Sequence, residues 1–419
     1  MAIDVGLDPK LGRVALPAGS TFKSAEVSYS YAFSADLGGG PYDRRESLLA
    51  VAPESVQWQA GVTRTLKQDR PPLYRSLRSA VTAWNLQPPG TAGFIAILDS
   101  HSYKESLSGV DHIRVPAGSL LFLVAADWPA QERADMPGVF ERRTGRQYLE
   151  PADVRPHVQG NMEVEGIAGA AGSVPGVLAL NGVLLEGLLK VLGGDLGTLR
   201  IQHCTLDPAQ AGLQVEAPNR SLRVVVERSI SGPITLAAGT LSVSGASSLA
   251  LSDSIVVPAA GAQSAIAASA AGVDIVCSTI LGATTAKKLT ASESTFTGPV
   301  QVTQKQEGCV RFSYVPLGSA TPRQFRCQPA LALSGITDPA AQKRIAARLT
   351  PVFTSLRYGA AAFAQLADLC AEEIRTGAED GAEMGAFHHL KQALRESMLR
   401  LTLDEYLRLG LQTGIFHVS

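Results

Sequence analysis

The chain lacks an excess of either charge: 37 Lys and Arg stand against 38 Asp and Glu, a formal net charge of -1 over 419 residues, with no Lys/Arg run. Gripping a phosphate backbone takes a basic surplus or a concentrated basic patch, so nucleic acid is not an expected partner. No stretch reaches the roughly 18 apolar residues that a membrane helix needs. The opening MAIDVGLDPKLGRVALP carries charges where a secretory signal has its apolar region. Membrane insertion is not expected, and synthesis in a reducing cytoplasm without a signal peptide is. Five cysteines (Cys204, Cys277, Cys309, Cys327, Cys370) are scattered, odd in number and free of CxxC, which argues against a disulfide framework or a zinc knuckle. Aromatics make up only 6%, and Trp58, Trp84 and Trp128 all precede the regular region, leaving few platforms on which a sugar could stack. Phosphate loops, nucleophile elbows and dinucleotide fingerprints are missing, so no cofactor is expected.

What is present is a repeat. Ala, Gly, Ser, Val, Leu and Ile dominate from Ile167 to Gly298. Within and around that segment a short alternating stretch five times meets a hydroxyl and then a large apolar residue: LRIQHCTL, LRVVVERSI, LALSDSI, VDIVCSTI and LTASESTF. The hydroxyls are Thr205, Ser229, Ser254, Thr279 and Thr295, at steps of 24, 25, 25 and 16 residues. A second signature, in LEGLLKV, ISGPITL, ILGATTA and FTGPVQV, places Gly187, Gly232, Gly282 and Gly298 before alternating strands. A period near 24 without helical spacing points to short strands stacked coil upon coil. Three strands and three bends use about two dozen residues at this strand rise. Glycine suits a sharp corner, where φ is often positive and a side chain would obstruct the next coil. The hydroxyl column reads as a structural ladder that fixes register. A leucine-rich horseshoe would show its L-x-x-L-x-L-x-x-N signature, and a β-sandwich would not repeat one corner motif in register.

The reading is a mainly β chain: a right-handed parallel β-helix of the pectate-lyase-like solenoid kind, with an N-terminal β module and a C-terminal α-helical region. Residues 1–50 form the β module, with a hairpin from Val5 to Leu16 around Asp8-Pro9 and an alternating strand through Val27, Tyr29 and Tyr31. Residues 51–90 are a linker and a capping helix whose Tyr74, Leu77, Val81 and Trp84 share one face. Residues 91–316 are the β-helix, with Ile97 and Leu123 already 26 apart. Residues 317–419 are helical, through DPAAQKRIAARL, AFAQLADLCAEEI and a long last helix with Phe387, Leu390, Leu394, Met398, Leu401 and Tyr406 on one face. This unit caps the last coil or docks a partner.

Chemistry is harder to find. Glycoside hydrolysis needs two carboxyls about 5 to 9 Å apart, which residues one coil apart could supply. Of Asp195, Asp207, Glu227, Asp253 and Asp274, only Glu227 and Asp253 come close to one repeat phase; exposed carboxylates in turns explain them as well. His101 with Asp99, His112 with Asp111, and His203 with Cys204 are near in sequence but do not make convincing catalytic pairs. The acidic segment with Glu372, Glu373, Glu379, Asp380, Glu383, His388 and His389 lacks HExxH, EF-hand or Glu-x-x-His spacing, so no metal is expected. It reads as an acidic first turn for the final helix. Asn219-Arg220-Ser221 is read as a turn.

Three stretches together, FSADLGGGPYDR, GFIAILDS with LVAADWP, and EIRTGAEDGAEMGAFHHL with LDEYLRLGLQTGIFHV, resemble a bacterial protein family associated with phage-tail-like and contractile injection gene clusters. The resemblance spans nearly the whole chain, supplies no catalytic residues, and implies a structural or attachment role in which this chain is the end of a longer protein. The expected function is a non-enzymatic rigid module of such a particle, with a carbohydrate-active enzyme (polysaccharide lyase or glycoside hydrolase) as the alternative. Expected partners are other proteins of a larger assembly, a second copy of the chain, or a cell-surface glycan.

Overall fold

The computed structural model describes residues 6–8, 13–15, 35–51, 56–210, 212–237 and 248–406. From Trp58 onward the chain winds through three columns of parallel strands. One coil shows the pattern: Leu196–Gln202 on a broad face, Thr205–Leu206 on a short face, Leu213–Val215 on a third, and then Arg223–Glu227, which returns beside Leu196–Gln202. The short face stacks eight strands from Ser102–Lys104 to Thr295–Phe296, and the other two faces join into an 18-stranded sheet. Every named strand pair in these two sheets is parallel. The molecule is therefore a mainly β, parallel solenoid.

Stacking in register places like side chains above one another. On the broad face Leu123, Leu180, Ile201, Val226, Leu251 and Ile275 face inward on successive coils, and Leu121, Leu178, Leu199, Val224, Leu249 and Val273 do the same two residues earlier. Each such side chain contributes about 1.5–3 kcal/mol when removed from water, so the aliphatic columns hold the coils together. The step of 16 between Thr279 and Thr295 has a local cause. Only Leu281 and Gly282 separate the short-face strand Thr279–Ile280 from Ala283–Ser292, whereas the preceding coil spends residues 257–263 between Ile255–Val256 and Ser264–Val276. Both coils run the third and broad faces on as one strand, and the later one also lacks the register irregularity between Ala268 and Gly272.

The stack begins earlier than position 91, because Trp58–Val62 already pairs parallel with Gly93–Ile97. A five-residue strand that itself opens on an isolated tryptophan gives little periodicity to read. Helix α2 (Leu77–Trp84), following α1 (Arg45–Val51), closes this end. Ser76 caps it by accepting from Ser79 N at 3.0 Å, and Leu77, Ala80, Val81 and Trp84 enter the solenoid core. Outside the broad face, Phe94, Phe122 and Trp128 pack under Leu48 of α1 and Leu149. Gly6–Asp8 pairs antiparallel with Arg13–Ala15; the turn between them, and Val27 to Tyr31, lie outside the described residues.

The C-terminal region departs from the expectation. Helices α3 (Ala330–Leu333) and α4 (Pro339–Arg348) bury no residue. The segment AFAQLADLCAEEI is irregular apart from α5 (Glu372–Arg375). It is laid along the flank of the solenoid, where Leu366, Cys370 and Ile374 pack with Tyr314 and Met384, so tertiary burial overrides its helical spacing. Helix α6 runs from Gln392 to Tyr406, not from Met384, because Lys391 adopts a left-handed φ of 48°. The proposed one-sided face splits accordingly: Phe387 is buried, whereas Leu394, Met398, Leu401 and Tyr406 are exposed. The acidic segment is not the first turn of α6, which contains no acid; Glu372 and Glu373 lie in α5. Among the described residues no helix is long and apolar enough to cross a membrane.

Candidate functional site

Among the described residues the corner from the broad to the short face is built the same way seven times. One non-glycine residue takes a left-handed φ between 44° and 53°: His203, Arg228, Asp253, Cys277, Glu293, Phe312 and Arg326. The next residue is Cys204, Ser229, Ser254, Ser278, Ser294, Ser313 or Cys327, and all of these are buried. A left-handed L-residue costs on the order of 1 kcal/mol, and a hydrogen-bond ladder offsets that cost. Each ladder hydroxyl accepts the backbone N–H of the preceding coil's ladder residue at 3.1–3.2 Å, from Cys204 N to Ser294 N. It donates to the carbonyl two residues back at 2.6–2.8 Å. Buried backbone N–H groups without strand partners are thereby satisfied.

This ladder corrects the phase read from the sequence. Ser229 and Ser254 belong to it, but Thr205, Thr279 and Thr295 sit one residue later and present their hydroxyls outward. Ser and Thr both offer a hydroxyl, so only their placement in the fold separates the two columns. The corner glycines also work differently from the expectation of positive φ: none of Gly187, Gly232, Gly282 and Gly298 is left-handed. At Gly187, Gly282 and Gly298 an added Cβ would collide with the backbone of Gly160, Gln263 and Gly282–Ala283 respectively. Close approach of the neighbouring coil is the constraint there.

The outward threonines receive two straps from the ends of the chain. In the N-terminal strap, Gly39 N donates to Thr205 Oγ1 at 2.9 Å, and Tyr42 Oη lies 2.9 Å from His203 Nδ1. Arg44 is buried, and its guanidinium donates to the carbonyls of Gly40, Tyr42, Ala125 and Val154. Burial, then the charges of Arg228 and Arg44, push His203 down to about 3 and keep it neutral. In the C-terminal strap, Ala386 N donates to Thr279 Oγ1 at 3.0 Å, Thr295 Oγ1 donates to Met384 O at 2.9 Å, and Gly385 N donates to Glu293 O at 2.8 Å. Phe363, Ala364, Ala386 and Phe387 cover Ile255, which faces outward between the straps.

Where the C-terminal strap crosses the corners, ionisable groups from distant segments converge. Cys277 Sγ donates to Glu293 Oε2 at 3.4 Å, and His388 Nε2 lies 3.9 Å from the same oxygen and 3.1 Å from Asp380 Oδ1. Lys391 Nζ is 2.8 Å from Asp380 Oδ2, and His389 Nδ1 is 3.7 Å from Asp253 Oδ1. The hydrogen bond from Lys391 holds Asp380 down at about 2. Burial raises Asp253 and lowers His389. Burial, followed by the carboxylates of Asp253 and Glu293, pushes the Cys277 thiol well above its usual range, so it is no free nucleophile at neutral pH.

The other sequence candidates are engaged elsewhere. Glu227 accepts from Gln202 Nε2 at 2.6 Å and pairs with Arg200 at 3.3 Å, while Asp253 faces the strap. Their polar partners therefore lie on different segments, the broad face for Glu227 and the strap for Asp253. His112 pairs with Glu165 at 2.8 Å and Asp111 with Arg78 at 3.2 Å; Asp99 accepts from Thr63, Arg64 N and Tyr103 as a structural bracket. The row of corners is not visible in the sequence, where His203 and Asp253 stand out only singly, because its members share a backbone conformation and no chemistry; the signal that could have found it is the Ser or Cys that follows each one. No family model, curated protein or solved structure matches the chain.

Proposed function

We infer that this chain is a non-enzymatic rigid structural or attachment module, a right-handed β-helix of pectate-lyase-like kind serving as a component of a phage-tail-like or contractile injection particle. The observation that carries the non-enzymatic part is the covering of the corner column: the corner residues His203, Asp253 and Glu293 meet the chain's own straps, and Glu227 is held by Gln202 and Arg200. Right-handedness follows from the general chirality of parallel crossover connections. Rigidity follows from backbone hydrogen bonds that run along the axis through every coil. The hairpin Gln131–Arg133 with Met136–Glu141 carries exposed Met136, Val139 and Phe140, the sort of apolar surface that contacts another protein of an assembly. The particle context itself rests on the sequence resemblance.

The test has two arms. The solution mass and the identity of co-purifying particle proteins measure the assembly role, and a defined particle component retained in stoichiometric amount is the expected result. Turnover of acidic polysaccharides that disappears in Glu227→Gln or Asp253→Asn would replace the reading with the enzymatic one.

A further inference from the structure

We propose that Cys277, Glu293 and His388 form a binding site for a thiophilic divalent transition metal, zinc, which fastens the C-terminal strap to the solenoid. The ligand atoms of these three side chains all lie within 4.8 Å of one another. Tetrahedral zinc with Zn–S near 2.3 Å and Zn–N or Zn–O near 2.0 Å separates its donors by roughly 3.3–3.7 Å. The observed 3.4 Å from Cys277 Sγ to Glu293 Oε2 and 3.9 Å from that oxygen to His388 Nε2 need only small side-chain adjustments.

The donors are preplaced by backbone. Cys277 and Glu293 occupy the same left-handed corner on successive coils, tied down by Cys277 N to Ser292 O at 3.0 Å and Glu293 N to Arg311 O at 3.1 Å. His388 is delivered by the strap, whose Gly385 N bonds Glu293 O and whose Ala386 N bonds Thr279 Oγ1. Asp380 Oδ1, 3.1 Å from His388 Nε2, is placed to supply a fourth oxygen or to hold a metal-bound water. Thiolate, imidazole and carboxylate together select zinc-like ions over calcium or magnesium, which prefer all-oxygen shells. On binding, the Cys277 S–H bond breaks as the S–Zn bond forms, and the proton leaves to solvent. The inference stands independently of the particle role.

The test uses the full chain, stripped with a chelator and titrated separately with Zn²⁺ and Co²⁺. One equivalent of zinc per chain is expected, together with a thiolate-to-cobalt charge-transfer band that Cys277→Ser abolishes. Glu293→Gln and His388→Gln each weaken zinc binding at least tenfold, and Asp380→Asn weakens it by about tenfold, as outer partners of zinc ligands do. Zinc should also slow amide exchange at 385–388 in the parent and not in Cys277→Ser. Unchanged melting of the metal-free variants shows that they fold. A charge-transfer band that survives Cys277→Ser, zinc bound only in non-stoichiometric amount, or strap exchange indifferent to zinc overturns the proposal.

Discussion

Replacing Ser254 by alanine isolates one rung of the corner ladder. The side chain is fully buried, and its hydroxyl accepts Ser229 N–H at 3.1 Å while donating to Ser252 O at 2.6 Å. The Ser252 carbonyl keeps a second partner, because Arg228 N donates to it at 3.0 Å. The substitution therefore orphans one buried donor, the Ser229 amide, and its cost is the desolvation of that group, about 1–3 kcal/mol. Ser254→Cys should recover part of the loss, since a thiol sulfur still accepts weakly from the Ser229 amide, and Cys204 and Cys327 already occupy this position at the ends of the ladder. Denaturant unfolding measures the global change, and native-state hydrogen exchange at the Ser229 amide measures the local one. The expected order of stability is Ser, then Cys, then Ala, with the Ser229 amide exchanging faster in the alanine variant. Stability of Ser254→Ala within about 0.5 kcal/mol of the parent, the range of an ordinary surface change, together with unaltered Ser229 protection, would refute the ladder as an energetic element.

Two further outcomes follow from the strap and its surroundings. Gly385 has φ of +122°, and a Cβ there would lie 2.6 Å from Thr279 Oγ1, so Gly385→Ala should cost about 1–3 kcal/mol of strain and raise proteolytic cleavage within 380–392 while leaving the far-ultraviolet β signature unchanged. Glu383 is raised by burial from the ordinary 4.5 to about 7; because the native state holds its proton more tightly, the stabilising contribution is complete below about pH 4.5 and is lost as pH rises through 7. Glu383→Gln should accordingly match the parent near pH 4 and exceed it at pH 8 by up to about 3 kcal/mol, as read from paired urea melts; equal stability at both pH values would contradict this.

Legibility of the sequence varied with the physics behind each feature. The parallel winding was readable because stacked coils demand the same aliphatic residue at the same phase, as at Leu180, Ile201, Val226 and Leu251. The ladder was readable to within one residue, since Cys204-Thr205, Ser278-Thr279 and Ser294-Thr295 put two suitable side chains next to each other. The left-handed corners were not readable: His203, Asp253 and Phe312 share a dihedral angle and nothing else. The convergence of Cys277 and Glu293 with His388, 95 residues past Glu293, depends on a strap whose path is set by Ile255 needing cover and by two outward threonine hydroxyls. Local helical spacing in AFAQLADLCAEEI and ahead of Gln392 pointed the wrong way, because burial along the flank outweighs propensity over such short segments.

The central claim is that the chain's own straps cover the corner column from His203 to Glu293. Amide exchange at Gly39, Gly385 and Ala386, followed residue by residue in the intact chain, tests it most directly. Protection of these three amides approaching that of the strand amides beneath them is the predicted result, given their bonds to Thr205 Oγ1, Glu293 O and Thr279 Oγ1. Exchange at the rate of an open peptide would leave the corner residues exposed as a groove and contradict the non-enzymatic reading.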